Sequence, residues 1–319
     1  MSSADGDTAT TKDDKASEEN AKQTESKQVK DVVELPSSEP FTPREAAVVT
    51  RARSTNLIVL GGPQSSGKTT LIASIYERLH LGPFAGRMAS WCSTLMGFER
   101  ICHLGREESG LTKPDTLHTS LQVGKQIYHL RMYSPERRSH QDVLLTDLSG
   151  EVFEGIRGFD EECTHLQFLR RADHFSLLLD GERVSSLSTR HQTFDEGATI
   201  LRVLIERGLL SQQTHVQVVF SKWDLIDRAD TSEGVKEYLQ HAEESLTERF
   251  ARSFATLSFY RTVARDPDGA YMMATGVESL LSTWCDHRRL WREDSPMRIH
   301  DWTGFREVDR FLVAQRTGY

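Results

Sequence analysis

Cysteine is scarce in this 319-residue chain: Cys92, Cys102, Cys163 and Cys285 are the only four. None stand at the C-x-x-C spacing of a zinc site or redox pair, so they read as reduced, buried thiols. A disulfide-stapled secreted fold is thereby excluded. Nor do the twelve histidines form an H-E-x-x-H cluster. No apolar run reaches the roughly 18 residues a transmembrane helix requires. The polar, acidic N-terminus has no signal-peptide core, and a cytoplasmic location is the matching expectation. Positive charge is also short, with 39 Lys+Arg against 47 Asp+Glu and a net charge of -8. That balance argues against direct nucleic-acid binding over a general basic surface. Aromatics are missing altogether from residues 1–40, which carry five Asp, five Glu and five Lys. Such a segment cannot bury enough apolar surface to offset its ordering entropy, so it is expected to be a disordered acidic tail.

After a lead-in from Phe41 to Ser54, the remaining sequence alternates between two patterns. Continuous apolar runs occur at Leu57–Leu60, Val143–Leu145, Phe175–Leu179, Val216–Phe220 and Leu257–Val263. Strands covered on both faces look like this. Between them lie helical spacings: Leu71, Ile72, Ile75, Tyr76 and Leu79; Phe194, Ala198, Leu201 and Leu204; Val235 to Phe250; and Val277 to Arg288. The pattern predicts an α/β fold, a mostly parallel open sheet with helices on both faces. Residues 116–133 alternate around Gly124-Lys125 and predict one antiparallel edge hairpin. Residues 82–115 form a long insertion with a helix expected near Leu95–Leu104. Phe305, Val308, Phe311 and Leu312 predict a short amphipathic helix. The expected organisation is a tail (1–40), a core domain (41–290) with the 82–115 insertion, and a C-terminal extension (291–319).

Three segments carry chemistry. Gly62-Pro63-Gln64-Ser65-Ser66-Gly67-Lys68-Thr69 fits G-x-x-x-x-G-K-[ST] between a buried strand and a helix. Its glycines permit the tight turn that aims backbone N–H groups at phosphate oxygens. Lys68 supplies charge at the β/γ-phosphates, the Thr69 hydroxyl meets Mg²⁺, and Thr70 extends the set into the helix. The helix dipole points its positive end at the same place. Next, Asp147-Leu148-Ser149-Gly150 closes an apolar strand; the carboxylate suits Mg²⁺ and the Gly150 amide a γ-phosphate. Finally, Ser221-Lys222-Trp223-Asp224 follows the strand Val216–Phe220. The Asp224 carboxylate matches the N1–H and 2-amino donors of guanine, a pair that adenine lacks. The Lys222 stem can lie over the base.

In this order the motifs resemble a translation-factor-related, Ras-like P-loop GTPase over about residues 56–290. Gly97-Phe98-Glu99-Arg100, Thr146-Asp147-Leu148-Ser149-Gly150-Glu151 and Arg171-Ala172-Asp173-His174-Phe175 resemble, in finer detail, the bacterial double-GTPase family. That resemblance implies a G domain, GTP and GDP as ligands, Mg²⁺ as cofactor, and slow hydrolysis without help. It also implies a bacterial conflict-system setting, with a protein effector or activator encoded nearby. Switch I should supply a threonine to the metal, with Thr116 first and Thr112 second. Thr262-Val263-Ala264 should hold the guanine O6, with Val263 and Ala264 as contacts. Glu151 stands where a water-orienting glutamine is usual and is either catalytic or a hinge. Ser221 replaces the usual Asn or Thr, and its shorter hydroxyl should tie the base loop to the phosphate loop less firmly. Gln64 replaces a glycine and would crowd an arginine supplied in trans; an internal arginine such as Arg106 is the alternative. Two other readings stay open: a nucleotide-bound module that does not hydrolyse, and an ATP-using P-loop enzyme.

Overall fold

The apolar run at Leu57–Leu60 lies in strand β1 (Thr55–Gly61), every residue of which is buried. It sits within a seven-stranded sheet ordered β2-β3-β4-β1-β5-β6-β7. The other strands are β2 (Met88–Trp91), β3 (Gln126–Ser134), β4 (Ser139–Asp147), β5 (His174–Asp180), β6 (His215–Ser221) and β7 (Thr256–Arg261). This computed structural model describes residues 38–103, 126–148, 152, 166–229 and 232–286. The acidic tail through residue 37, the end of the insertion from residue 104 with Arg106 and Thr112, and the segment from residue 287 with its expected helix lie outside the described residues. So do Thr116, Gly150 and Glu151.

β1 pairs in parallel with both β4 and β5, and the parallel run continues through β6 to β7. Each apolar strand expected from the sequence is present. The hairpin expected over residues 116–133 lies only in part within the described residues. Residues 126–134 do form a strand, but its described hairpin partner is β4, joined through Pro135–Arg138, with Arg138 at φ 49°. Gly124-Lys125 is a strong turn signal by composition, whereas this turn is set by a proline and an arginine in the left-handed region. A second antiparallel pairing, β2 on β3, also exceeds the single edge hairpin expected.

Eight helices are named here in chain order: α1 (Pro43–Ala52), α2 (Lys68–Leu81), α3 (Leu95–His103), α4 (Gly181–Ser185), α5 (Arg190–Glu206), α6 (Trp223–Arg228), α7 (Ser232–Phe250) and α8 (Val277–Asp286). The lead-in is therefore a helix. Thr42 and Glu45 cap each other's backbone N–H groups, and Pro43 opens its first turn. Two apolar clusters hold the layers. One packs Phe194, Ala198, Leu201 and Leu204 of α5, with Leu239 and Leu246 of α7, against Val59, Leu177 and Val218. The other packs Leu71, Ile75 and Leu79 of α2, Phe98 of α3 and Trp284 of α8 against Ile58, Leu60 and Leu145. The end of α8 is pinned by buried amides: Asn56 Nδ2 donates to the Trp284 carbonyl at 2.7 Å, and Gln141 Nε2 to that of Cys285 at 2.8 Å. These bonds satisfy carbonyls that a helix terminus leaves without partners.

A buried polar chain fastens the insertion to the sheet. Asp142 Oδ1 lies 2.9 Å from His129 Nε2, and Ser93 Oγ lies 2.9 Å from His129 Nδ1. An Nε2–H aimed at the carboxylate leaves Nδ1 to accept the Ser93 hydroxyl proton. Thr94 Oγ1 in turn accepts from the His129 backbone N–H at 2.9 Å. Burial lowers the His129 pKa from its ordinary 6.5, opposed by Asp142 and assisted by the nearby Arg53 and Arg131. The unfolded chain therefore takes up a proton first as pH falls. This contribution to stability is complete above about 6.5 and is lost as pH drops through the lower folded value. Thermal melts between about pH 7 and pH 5 should show a falling Tm. The slope should flatten in His129→Gln, which has no titrating ring.

Candidate nucleotide site

The loop leaving β1 is shaped by its glycines. Gly62 has φ 138°, and a Cβ there would lie 2.4 Å from the Leu178 carbonyl oxygen of β5. Only glycine fits such a backbone approach. Ser65 also takes a positive φ of 61°, which curls the loop over itself. Helix α2 then begins after Gly67, and no side chain caps its first N–H groups. An uncapped helix start with a positive dipole end is a ready anion seat. Gln64 and Ser65 are exposed on the loop, while Ser66 and Lys68 are buried.

The Lys68 ammonium curls back under the loop. It donates to the Pro63 carbonyl at 2.8 Å, the Gly62 carbonyl at 3.1 Å and Ser66 Oγ at 3.3 Å. Burial pushes its pKa down to about 8, while the Asp147 carboxylate pulls it back up. Thr69 Oγ1 donates to Asp147 Oδ2 at 2.8 Å, so the hydroxyl from α2 and the carboxylate ending β4 converge. Both are oxygen donors of the kind Mg²⁺ accepts. Among the described residues no group of three or more His, Cys, Asp and Glu could form a cage by itself. Two protein oxygens, with phosphate and water completing the shell, suit Mg²⁺ and its habit of keeping water.

The base loop begins where β6 ends. Lys222 has φ 48°, and its Nζ lies 3.0 Å from Asp180 Oδ2 at the end of β5. The same Asp180 caps α4 by accepting from the Glu182 N–H at 3.1 Å. Gly181 makes this junction possible: a Cβ there would come within 2.3 Å of the Ser221 carbonyl oxygen and 2.6 Å of that of Lys222. The Ser221 hydroxyl donates to the Leu179 carbonyl at 3.2 Å. That bond braces the base loop on β5 rather than on the phosphate loop. The Trp223 backbone N–H reaches the Thr262 carbonyl at 3.1 Å, joining the base loop to the segment after β7.

A cavity of about 300 Å³ opens between these loops. Gly67, Thr70 and Leu71 form its phosphate-loop side, and Ser221, Lys222 and Asp224 its other side. Asp224 is 3% exposed, and its Oδ1 is buried with no hydrogen-bond partner. Desolvation raises its pKa, and Asp266 and Asp268 add to the rise; its own backbone N–H and Arg228 oppose it. A buried carboxylate oxygen of this kind calls for a donor, and a nucleobase edge can provide one.

Of Thr262, Val263 and Ala264, the first and third line the cavity and Val263 does not. Its side chain is 1% exposed in the core, and its N–H is bonded to the Thr275 carbonyl at 2.9 Å. An apolar β-branched side chain in that segment packs inward and turns its neighbours toward the cavity. Sequence reasoning missed Glu182 and Arg265 on the wall, and Asp180 behind it. An acid closing the buried run Phe175–Leu179 was the available signal for Asp180. Arg265 is placed by a tertiary contact, with its Nη2 2.7 Å from Glu77 Oε2 on α2.

A strand running through a G-x-x-x-x-G-K-T turn into a helix, within a mostly parallel sheet, is the architecture of the P-loop nucleoside-triphosphatase class. The particular family follows from a match to the Double-GTPase 2 model over residues 56–285, and the chain belongs to that family. No curated protein matches it. Similar solved structures include the signal recognition particle receptor SRb-GTP/SRX complex from Chaetomium thermophilum. That match has 15% identity and a TM-score of 0.41, and covers 74% of this chain and 100% of the other. Another is the S. cerevisiae Ski7 GTPase-like domain bound to GDP and inorganic phosphate. It has 14% identity and a TM-score of 0.45, and the match covers 77% of this chain and 52% of that one.

Proposed function

We propose that this protein is a GTP-binding switch that hydrolyses GTP to GDP and phosphate. The observation carrying this reading is a cavity bounded by both the start of α2 and Asp224. Lys68, buried under the loop beside it, neutralises the β/γ-phosphates, the N–H groups opening α2 bind phosphate oxygens, and Asp224 accepts from the guanine N1–H and 2-amino group. The Lys222 stem, held by Asp180, covers the base. Thr69 and Asp147 would hold Mg²⁺, which supplies charge neutralisation across the phosphates when bound. Thr116 is the proposed switch threonine, the Gly150 amide a γ-phosphate contact, and Glu151 the residue orienting the attacking water. The 82–115 insertion serves as an enlarged switch I within a 41–290 G domain, flanked by the 1–40 tail and the 291–319 extension. A neighbouring-gene product in a bacterial conflict system would act as effector or activator, and the setting is cytoplasmic.

Phosphate release from radiolabelled GTP under single-turnover conditions tests the reading. Unaided turnover on the order of 10⁻⁴ to 10⁻² per second is expected, abolished by omitting Mg²⁺. Tight GTP binding with no release at all would leave a binding module in place of an enzyme. Equal competition by ATP would remove the guanine assignment.

A further inference from the structure

The loop that closes the base cavity is locked to Asp224 through one side chain. Arg228 stands one turn beyond Asp224 on α6, and its Nη1 donates to Asp224 Oδ2 at 3.4 Å and to Asp268 Oδ2 at 2.8 Å. Its Nη2 donates to Asp266 Oδ2. Asp266 then organises the loop by accepting from the backbone N–H groups of Asp268 at 3.0 Å and Tyr271 at 2.9 Å. The far end returns to the same helix, where the Tyr271 hydroxyl donates to Asp227 Oδ2 at 2.5 Å and Lys236 pairs with Asp227 at 2.9 Å. Ala264, Arg265 and Pro267, which line the cavity, belong to the segment this network restrains.

We propose that Arg228 is the positioning residue of the base site, a latch that holds the 264–271 loop closed over Asp224 and sets how long and how selectively a guanine nucleotide is retained. The proposal rests on the guanine reading above and adds a residue that touches neither base nor phosphate. Three carboxylates surround one guanidinium, so its removal leaves Asp266 and Asp268 facing Asp224 uncompensated. Like charges at this range repel, and the loop can relieve that only by swinging outward. Arg228 also favours the ionised form of Asp224, against burial and the two loop carboxylates. Lys222, Glu182 and Arg265 are the other charged groups on the cavity wall. Only an ionised Asp224 accepts two hydrogen bonds from guanine without offering a proton of its own. Oδ1 has no partner within the protein, and Oδ2, which takes one long bond from the guanidinium, keeps a second lone pair for the base.

The test compares wild type with Arg228→Gln, Arg228→Lys and Asp266→Asn, using fluorescent GDP release and GTP, ITP and ATP competition from about pH 5.5 to pH 8. Arg228→Gln should speed GDP release by roughly tenfold or more, since losing a partner from a charged network acts mainly on dissociation. Its preference for GTP over ITP, which lacks the 2-amino group, should shrink. Its loss of GTP affinity on acidification should begin at higher pH than in wild type. Arg228→Lys keeps the charge and should restore the pH profile while releasing GDP faster than wild type. Asp266→Asn loosens the loop side of the latch and should speed release too. Wild-type release and an unchanged pH profile in Arg228→Gln would overturn the latch while leaving the guanine site intact. If Arg228→Gln does not fold, wild-type release in Asp266→Asn overturns it instead. A wild type that binds ATP as well as GTP would instead sink the guanine reading.

Discussion

Lys68→Ala is expected to lose nucleotide binding outright. The side chain is buried beneath the phosphate loop and makes three hydrogen bonds that hold the loop's curl. Alanine removes both that support and the cation facing the triphosphate. Truncating one partner of a buried charge contact costs about 2–5 kcal/mol, which is roughly 30-fold to several thousandfold in affinity. Titration with fluorescent GTP should place the variant at the bottom or beyond the end of the accessible range. Wild-type affinity in a folded Lys68→Ala protein would remove the phosphate site. The pKa near 8 adds a signature. Triphosphate binding requires the charged lysine, so wild-type affinity should weaken above about pH 8, by up to roughly tenfold per pH unit until the value in the complex is reached. The variant should show no such slope.

Asp224→Asn is expected to exchange one base for another. The carboxylate presents two acceptor oxygens, matched to the adjacent N1–H and 2-amino donors of guanine. An asparagine presents one acceptor and one donor, which collides with the 2-amino group but fits N1–H beside the 2-oxo group of xanthine. Sites built around a specific polar edge discriminate strongly, because the wrong partner leaves buried groups without hydrogen bonds. GTP should weaken by roughly a hundredfold or more while XTP becomes the better ligand. Competition between the two nucleotides measures the switch directly. Unchanged GTP preference in Asp224→Asn would show that the base contacts lie elsewhere.

Both expectations were legible in the sequence because their residues follow continuous apolar runs. The spacing of strand, turn and helix around Lys68 and the strand before Asp224 bring the start of α2 and Asp224 to the wall of one cavity. What sequence could not supply was the wall between them. Asp180, Glu182 and Arg265 reach the site through the pairing of β5 with β6 and through an ion pair to α2, neither written in local pattern. β2 escaped notice for a different reason: its four residues are all exposed, so no alternation marks it. The Thr42–Glu45 capping signal for α1 was present, but only Ala46 of that helix is buried, leaving almost no apolar stripe to read. The backbone bond from Val263 to Thr275 is likewise a tertiary fact that local pattern does not carry.

The order of neighbours β1, β5 and β6 turns the sheet into a ruler. The phosphate loop springs from the first of these strands and the base loop from the third, so two strand spacings, about 10 Å, separate their anchor points. That interval is fixed by main-chain hydrogen bonding and does not respond to side-chain changes in either loop. In the proposed nucleotide site a ligand must therefore be long enough to bridge it, and a nucleoside monophosphate that fills one end leaves the other unmet. Under that proposal, discrimination by length is built into the scaffold before any contact with the base is made.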